Sequence, residues 1–247
     1  MGREKLTQSS DPEVLLKLRA SNPDVKESME IGKEGVADQP NQWPDKIDAD
    51  GQAFTDTMRS FFSTCQELHI KVMRAIALGM GLDEYFFDSY INDADNNLRL
   101  LHYPSILKNG FKNNPDQVRA GEHSDYGSIT LLFQDNVGGL EVKTPQETFV
   151  RAKPIEGTVV INAGDLLGRW SNDEIKSTRH RVVQPPARED DETDMYPERY
   201  SIAYFCNPNF ESAIEAIPGT WERLPEGKRY GAVKTGEYLV QRLAATY

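Results

Sequence analysis

The second half of the chain is a series of short β-type segments separated by turn residues. The segments are rich in β-branched and aromatic residues, and Gly, Pro, Asn or Asp punctuates the intervals between them. Many short strands with this punctuation are typical of an antiparallel sandwich or barrel. Between residues 97 and 208 the segments are NLRLLHYP, SITLLFQ, GGLEVKT, FVRAKP, TVVINAGDLL, STRHRVVQ and RYSIAYFCNP. The sequence therefore predicts a mainly β fold.

The first half is predicted to supply helices that flank this β region. Residues 54–82 carry apolar side chains at helical intervals and predict one long amphipathic helix that ends at its glycines. His69 falls within this apolar pattern and is interpreted as a structural histidine. A shorter helix is predicted over DPEVLLKLRASNPD. We predict a single domain over residues 1–247, with 1–95 as a mostly helical and loop layer and 96–247 as the β core.

Composition limits the classes of partner. Asp and Glu outnumber Lys and Arg by 39 to 28, which gives a formal net charge of -11 and repels nucleic acid and anionic membranes. No apolar run approaches the ~18 residues of a membrane span, and neither a secretory leader nor a disulfide framework is suggested. We expect a cytoplasmic protein that binds a small molecule, with no nucleic-acid or membrane partner. No sequence pattern specifies the oligomeric state.

The segment GEHSDYGS contains a candidate pair of metal ligands. His123 and Asp125 are two residues apart, so on an extended backbone both side chains point to one face. His180 follows far enough along the chain for several strands to return beside this pair. Two imidazoles and one carboxylate on one face of an octahedral metal suit a non-haem Fe(II) oxygenase, because the remaining positions stay open. Taken alone, an HxD pair with a distant histidine is a weak motif.

The segment RYSIAYF adds a second feature. On a strand, Arg199 and Ser201 share a face, and a planar guanidinium beside a hydroxyl is a good receptor for a carboxylate. An oxygenase that takes two electrons from an oxo acid needs such a receptor at the far end of the acid that chelates the iron. The competing interpretation is an ordinary arginine on the rim of a barrel.

Together these stretches resemble the 2-oxoglutarate- and Fe(II)-dependent dioxygenases, in the branch that includes isopenicillin N synthase and the plant flavonoid and hormone oxygenases. The matching stretches run in family order over residues 98–242. They are LRLLHYP, HSDYGSITLLFQDNVGGLEV, PIEGTVVINAGDLLGRWSNDEIKSTRHRVV, RYSIAYFCNPN and YGAVKTGEYLVQRL. The resemblance implies a double-stranded β-helix, or jelly-roll, core with flanking helices.

The resemblance also implies catalytic residues and cofactors. His123, Asp125 and His180 match the iron ligands of the family, and Arg199 and Ser201 match the pair that binds the distal carboxylate of 2-oxoglutarate. The implied cofactors are Fe(II), 2-oxoglutarate as cosubstrate and O2.

Tyr103 matches the tyrosine of the family's Asn-x-Tyr strand, whose hydroxyl assists the cosubstrate. Leu101 stands in place of the asparagine of that motif. Because successive side chains alternate between the two faces of a strand, Arg99 and Leu101 are predicted to share the face of Tyr103. By the same rule, Phe205 is predicted to share the face of Arg199.

The substrate pocket is predicted to include Arg99, Tyr126 and Phe205. An arginine with two aromatic side chains suits a flat, polar, hydrogen-bonding or anionic substrate, and among family members the fungal thymine hydroxylases are similar. The alternative for Arg99 is a salt bridge to an acidic neighbour such as Asp93 or Asp95.

The remaining blocks of the resemblance are interpreted as structural. VGGL and INAGDLLGRWSN are predicted to place glycines at turns and bulges, with Asn162, Asp165, Ser171 and Asn172 satisfying loop backbone. Family members usually begin with a further N-terminal region that packs on the barrel, and we expect this chain to lack it.

Three classes of function remain open. The favoured class is an Fe(II)- and 2-oxoglutarate-dependent oxygenase that oxidises a small organic molecule with release of succinate and CO2. The second is an oxidase like isopenicillin N synthase, which shares the Arg-x-Ser pair and does not use 2-oxoglutarate. The third is a truncated, catalytically impaired homologue that retains a ligand site.

Overall fold

The computed structural model describes residues 24–109, 117–186, 193–222 and 224–246 of the chain. The short helix predicted over DPEVLLKLRASNPD lies outside these ranges except for its last residue. The strands are β1 (Glu27–Gly32), β2 (Asn97–Tyr103), β3 (Ile106–Leu107), β4 (Ala120–His123), β5 (Ile129–Gln134), β6 (Leu140–Lys143), β7 (Phe149–Arg151), β8 (Val160–Ala163), β9 (His180–Val182), β10 (Met195–Tyr196), β11 (Arg199–Cys206), β12 (Ala213–Ile214) and β13 (Val233–Lys234). The helices are α1 (Ala49–Gly79), α2 (Asp88–Ile91), α3 (Asp165–Trp170) and α4 (Thr235–Thr246).

Two antiparallel sheets form the centre of the fold. The larger sheet has five strands in the order β1-β2-β11-β5-β8, and the smaller sheet has four in the order β4-β9-β6-β7. Tyr103 of β2, Leu140 of β6 and Val182 of β9 belong to one buried cluster. The two sheets therefore pack face to face. This arrangement confirms the predicted mainly β core, and every predicted β segment contains an observed strand.

Helix α1 packs on the outer face of the larger sheet. Its buried side includes Cys65, His69, Met73 and Ala77, each four residues from the next, which is the spacing of one helix face. The even-numbered side chains of β11, such as Tyr204, point towards this helix and join the same hydrophobic core. The odd-numbered side chains of β11 therefore face the interior between the two sheets.

The ends of α1 follow from local chemistry. Asp48 caps the first turn, because its Oδ1 accepts the backbone N–H of Gly51 at 2.8 Å. This cap explains why the helix begins before residue 54, the predicted start. The helix ends at Gly79, which agrees with the prediction that it stops at its glycines. Across the described ranges, no helix has both the length and the apolar character needed to cross a bilayer.

Two boundaries differ from the sequence prediction. Residues 27–32, predicted as part of a helix-and-loop layer, form β1 and pair with β2 at the edge of the larger sheet. The segment TVVINAGDLL is not one strand, because β8 ends at Ala163 and α3 begins at Asp165.

Candidate active site

The two histidines of the predicted metal site come from neighbouring strands. His123 is the last residue of β4 and His180 is the first residue of β9, and the two are paired in the register of these strands. Asp125 follows β4 in a loop. Strand parity, which predicted that His123 and Asp125 share a face, is therefore not what brings them together. The loop turns Asp125 back towards both imidazoles.

Backbone carbonyls orient both imidazole rings. Nδ1 of His123 lies 2.8 Å from the carbonyl oxygen of Gly121, and Nδ1 of His180 lies 3.2 Å from that of Thr178. A carbonyl oxygen only accepts, so Nδ1 carries the proton in each ring and the lone pair is on Nε2. This is the tautomer that a metal ligand requires, with the second nitrogen fixed by a hydrogen bond.

The Asp125 carboxylate faces the two Nε2 atoms. Its Oδ1 lies 3.7 Å from Nε2 of His180 and 4.0 Å from Nε2 of His123. Its Oδ2 accepts a hydrogen bond from Nδ2 of Asn162 at 2.9 Å. Burial opposes ionisation of Asp125, yet its electrostatic interaction with the imidazole groups of His180 and His123 and the hydrogen bond from Asn162 hold its pKa below the ordinary value. The carboxylate is therefore anionic and its Oδ1 is directed at the imidazoles.

The triad can hold one metal ion. One ligand atom from each of His123, Asp125 and His180 lies within 4.8 Å of the others. Two neutral nitrogens and one carboxylate oxygen are the ligand set of a facial triad that binds Fe(II) and leaves other positions open. The donor atoms thus fit the iron that the resemblance implies.

The loop that carries Asp125 is fixed by the N-terminus of α3. The N–H groups of Asp165 and Leu166 donate to the carbonyl oxygens of Asp125, at 2.8 Å, and of Gly127, at 3.0 Å. A Cβ on Gly127 would lie 2.2 Å from the carbonyl oxygen of Cys206. Only glycine therefore allows this loop to approach β11 so closely.

The predicted cosubstrate residues lie together on β2 and β11. Arg199 is opposite Tyr103 in the strand register, and its guanidinium carbon is 5.0 Å from the centroid of the tyrosine ring. Nη1 of Arg199 donates to Oγ of Ser201 at 3.0 Å, and Nη2 donates to Oε1 of Gln134 at 3.4 Å. Arg199, Ser201 and Tyr103 are all buried. A buried guanidinium beside a hydroxyl fits the carboxylate of an oxo acid.

A second buried arginine lies near Arg199 and was not predicted from the sequence. Arg119 directly precedes β4, and its side chain is fully buried. Nη2 of Arg119 donates to the carbonyl oxygen of Pro197 at 2.7 Å. The sequence carried no signal for this position, because a bulge between Ala120 and His123 breaks the alternation of strand faces that would relate Arg119 to His123.

A cavity of about 930 Å³ lies beside the triad. His123 and Asp125 line it, and so do the three residues predicted for the substrate pocket, Arg99, Tyr126 and Phe205. The guanidinium carbon of Arg99 lies 5.1 Å from the centroid of the Phe205 ring. The structure thus brings the predicted pocket residues and two of the triad residues into one cavity.

Arg99 forms a salt bridge with Glu30, which was not among the partners considered from the sequence, Asp93 and Asp95. Its Nε lies 2.5 Å from Oε1 of Glu30, which is opposite Arg99 in the pairing of β1 with β2. Asp95 is 3.2 Å from Nζ of Lys33 instead. The partner of Arg99 was missed because β1 itself was missed.

Helix α4 supplies a part of the cavity wall that the sequence did not predict. The guanidinium carbon of Arg242 lies 4.7 Å from the ring centroid of Tyr126. Nη2 of Arg242 is 3.3 Å from Oδ2 of Asp165, and the hydroxyl of Tyr238 donates to the same oxygen at 3.2 Å. The helix is therefore fastened to the loop that carries Asp125. The side chains of α4 that line the cavity include Leu239, Val240 and Leu243.

The block INAGDLLGRWSN, predicted to be structural, divides into two parts. Ser171 and Asn172 donate to backbone carbonyl groups, as predicted. Among the described residues, the side chains of Asn162 and Asp165 bind other side chains and not loop backbone. The Asn162 side chain donates to Asp125, and the Asp165 carboxylate binds α4.

Comparison with known proteins identifies the family. Residues 94–208 match the 2OG-Fe(II) oxygenase superfamily model, and this range contains every residue predicted for the site. The chain is 36% identical over 255 residues to the 2-oxoglutarate-dependent dioxygenase htyE of Aspergillus rugulosus, which covers 100% of this chain and 74% of the relative.

Two solved structures of the thymine hydroxylase T7H from Neurospora crassa are more similar. The complex with alpha-KG, which is 2-oxoglutarate, and thymine is 60% identical, covers 100% of this chain and 73% of that chain, and has a TM-score of 0.87. The complex with alpha-KG and 5-formyluracil is 61% identical, covers 91% of this chain and 70% of that chain, and has a TM-score of 0.85.

These matches confirm the double-stranded β-helix core and do not favour an oxidase that works without 2-oxoglutarate. The chain belongs to the 2OG-Fe(II) oxygenase superfamily and is a non-haem iron dioxygenase that uses Fe(II), 2-oxoglutarate and O2.

Proposed function

We propose that this enzyme oxidises the methyl carbon of a free pyrimidine base such as thymine. The observation that carries the proposal is the guanidinium of Arg99 over the ring of Phe205, in the wall of a cavity that His123 and Asp125 also line. The thymine complex of the Neurospora protein supports the same substrate class. The 5-formyluracil complex supports oxidation at the methyl carbon, because 5-formyluracil is thymine with that carbon oxidised to an aldehyde.

In this proposal the iron is held by Nε2 of His123, Nε2 of His180 and Oδ1 of Asp125. Iron, 2-oxoglutarate and O2 supply the oxidising chemistry, and the protein supplies binding, orientation and exclusion of competing reactions. The carbonyls at the two Nδ1 atoms and the amide of Asn162 hold the three ligands in place.

The cosubstrate is assigned to the interior face of β11 and β2. Arg199 and Ser201 hold its distal carboxylate, and Tyr103 contacts it from the paired strand. The burial of these residues excludes water, which strengthens the charge-assisted hydrogen bonds of the guanidinium.

The electrostatics of Arg99 favour a neutral substrate over an anionic one. Its charge is already balanced by Glu30, which also accepts a hydrogen bond from Nδ2 of Asn97 at 2.6 Å. A flat, neutral ring with polar edges suits this environment, because Phe205 and Tyr126 offer aromatic faces and Arg99 offers donors. A pyrimidine base has these properties.

A free base is also a better partner than a polynucleotide. The net charge of -11 opposes binding of a phosphate backbone. We further propose a cytoplasmic location, which is supported by the two cysteines, Cys65 and Cys206, both buried and unpaired with each other.

The test is turnover of the Fe(II)-loaded chain with 2-oxoglutarate, O2 and thymine. We expect one succinate for each two-electron oxidation of the base, with 5-hydroxymethyluracil as the first product, measured by mass spectrometry. Uracil lacks the methyl group and should give no oxidised base. Phe205→Ala and Arg99→Gln should each lower kcat/KM for thymine about ten-fold or more, since each removes a stacking or hydrogen-bonding contact. Binding of 2-oxoglutarate without thymine should not change.

Tyr200→Phe is the matched control, because Tyr200 is on β11 and half of its side chain is exposed. This variant should turn over thymine like the wild type. The proposal fails if the wild type leaves thymine unchanged while it oxidises an amino acid or a phenol under the same conditions.

A further inference from the structure

The interior between the two sheets holds two buried guanidinium groups. Arg119 is 0% exposed and Arg199 is 1% exposed. Burial and then the positive charge of Arg199 lower the pKa of Arg119, so the two groups lie within electrostatic range of each other. Two neighbouring cations in a buried site are unfavourable unless an anion accompanies them.

The donors of these two arginines are only partly used. Arg119 donates from Nη2 to the carbonyl oxygen of Pro197, and Arg199 donates to Ser201 and Gln134. Nε and Nη1 of Arg119 and Nε of Arg199 are buried and have no hydrogen-bond partner among the described residues. Within the same ranges, no carboxylate forms a salt bridge with either arginine. The carboxylate of Asp135 lies within electrostatic range of Arg119 and opposes part of the positive charge, so the site has unused N–H donors and two cations against this one acid.

We propose that Arg119 is a second cosubstrate-binding residue, whose guanidinium joins that of Arg199 in holding the distal carboxylate of 2-oxoglutarate. The inference deepens the proposed role of Arg199 and rests on it. Arg119 precedes His123 by four residues across the bulge between Ala120 and His123, so at most roughly 13 Å of extended backbone separates them. An arginine side chain and an extended five-carbon diacid bound at the triad can together fill this interval.

The paired arginines would make the distal carboxylate a strict requirement. A 2-oxo acid that ends in a methyl group would leave two buried guanidinium groups without the carboxylate of the ligand. The enzyme should therefore discriminate strongly between 2-oxoglutarate and 2-oxopentanoate, in which a methyl group replaces the distal carboxylate.

The experiment is an anaerobic titration of the Fe(II)-loaded chain, followed through the charge-transfer absorbance of the bound oxo acid. Arg119→Met should raise the Kd for 2-oxoglutarate about 10- to 100-fold. It should leave the Kd for 2-oxopentanoate and the affinity for Fe(II) unchanged. Arg119→Lys keeps the charge and loses the planar fork, so its Kd for 2-oxoglutarate should fall between those of the wild type and Arg119→Met.

Arg151→Met is the matched control, because Arg151 is exposed on β7 of the smaller sheet. It should bind both oxo acids like the wild type. Equal loss of both oxo acids in Arg119→Met would mean a structural role and would overturn the proposal, as would an unchanged Kd for 2-oxoglutarate. If Arg119→Met does not fold, Arg119→Lys decides, and wild-type binding of 2-oxoglutarate overturns the proposal. No pyrimidine is present, so the result is independent of whether thymine is the substrate.

Discussion

Arg242 lies over Tyr126, with its guanidinium carbon 4.7 Å from the ring centroid, while its Nη2 is 3.3 Å from Oδ2 of Asp165. Asp165 in turn donates its backbone N–H to the carbonyl oxygen of Asp125 at 2.8 Å. One arginine on the last helix thus connects a pocket aromatic to the loop of a metal ligand.

Arg242→Ala is expected to loosen Tyr126 and to weaken substrate binding. A cation–π contact is worth about 1 kcal/mol, so the KM for the pyrimidine should rise roughly five-fold with a smaller change in kcat. Arg242→Lys retains a cation and should recover part of the loss. The measurement is steady-state kinetics together with an anaerobic titration, in which the Kd for 2-oxoglutarate should equal that of the wild type. A parallel loss of 2-oxoglutarate binding would show that Arg242 supports the whole site.

Asn162→Ala is expected to lower the affinity for Fe(II). Its amide holds Oδ2 of Asp125 at 2.9 Å, and loss of such a supporting contact costs about 10- to 100-fold in metal affinity. Asn172→Ala is the control, because the Asn172 side chain serves backbone groups of loops and should affect stability alone. Equilibrium titration with Fe(II) under anaerobic conditions checks both variants. Wild-type affinity in Asn162→Ala would rule out a supporting role.

Arg199→Lys is expected to weaken 2-oxoglutarate binding by about one to two orders of magnitude. Lysine keeps the charge and loses the planar fork, and a charge-assisted hydrogen bond is worth roughly 1.5–3 kcal/mol. Ser201→Ala should cost on the order of 1 kcal/mol, because it removes one neutral hydroxyl. The charge-transfer band of the anaerobic complex measures both. An unchanged midpoint for Arg199→Lys would remove this arginine from the cosubstrate site.

His69 is expected to make the fold acid-sensitive. It is 0% exposed, and burial lowers its pKa to about 3. In the unfolded chain its pKa is near 6.5, so between these values the unfolded state binds more protons. The free energy of unfolding should therefore fall as the pH drops from about 6.5 towards 3, by up to ~1.4 kcal/mol per unit from this residue.

The test compares urea unfolding of the wild type and His69→Gln from pH 7 to pH 4. The variant should be less stable at pH 7, because the contact of His69 Nε2 with Ser128 Oγ at 3.2 Å is altered. Its stability should nevertheless decline less with acid. Identical pH slopes would mean that His69 is not the titrating group.

The strands of the core were predictable because their residues prefer β structure locally. The segment SITLLFQ has β-branched and aromatic residues at close intervals, and it forms β5. By contrast β1, with the sequence ESMEIG, contains residues that are depleted in strands, and only its pairing with β2 makes it one. Periodicity did not specify the topology, which came from the family resemblance.

The identities of the candidate metal ligands could be predicted from the sequence, but their arrangement in space could not. The spacing of His123, Asp125 and His180 indicated the ligands, whereas the loop conformation of Asp125 depends on the distant α3. Arg119 was missed because arginine is rarely fully buried, so no sequence rule assigns it to an interior. Arg242 was missed because its contact with Tyr126 joins residues far apart in the chain.

Much of the wall of the cavity comes from segments that supply no iron ligand. Gly32 belongs to the edge strand β1 of the larger sheet, Arg99 to β2, Phe205 to β11 and Val240 to α4, whereas both imidazoles belong to the smaller sheet. Substitutions at Arg99, Phe205 or Val240 can therefore alter what the cavity accepts without removing an iron ligand. This division allows substrate specificity to change through substitutions in one part of the cavity wall, while the iron ligands and the reaction that they support are retained.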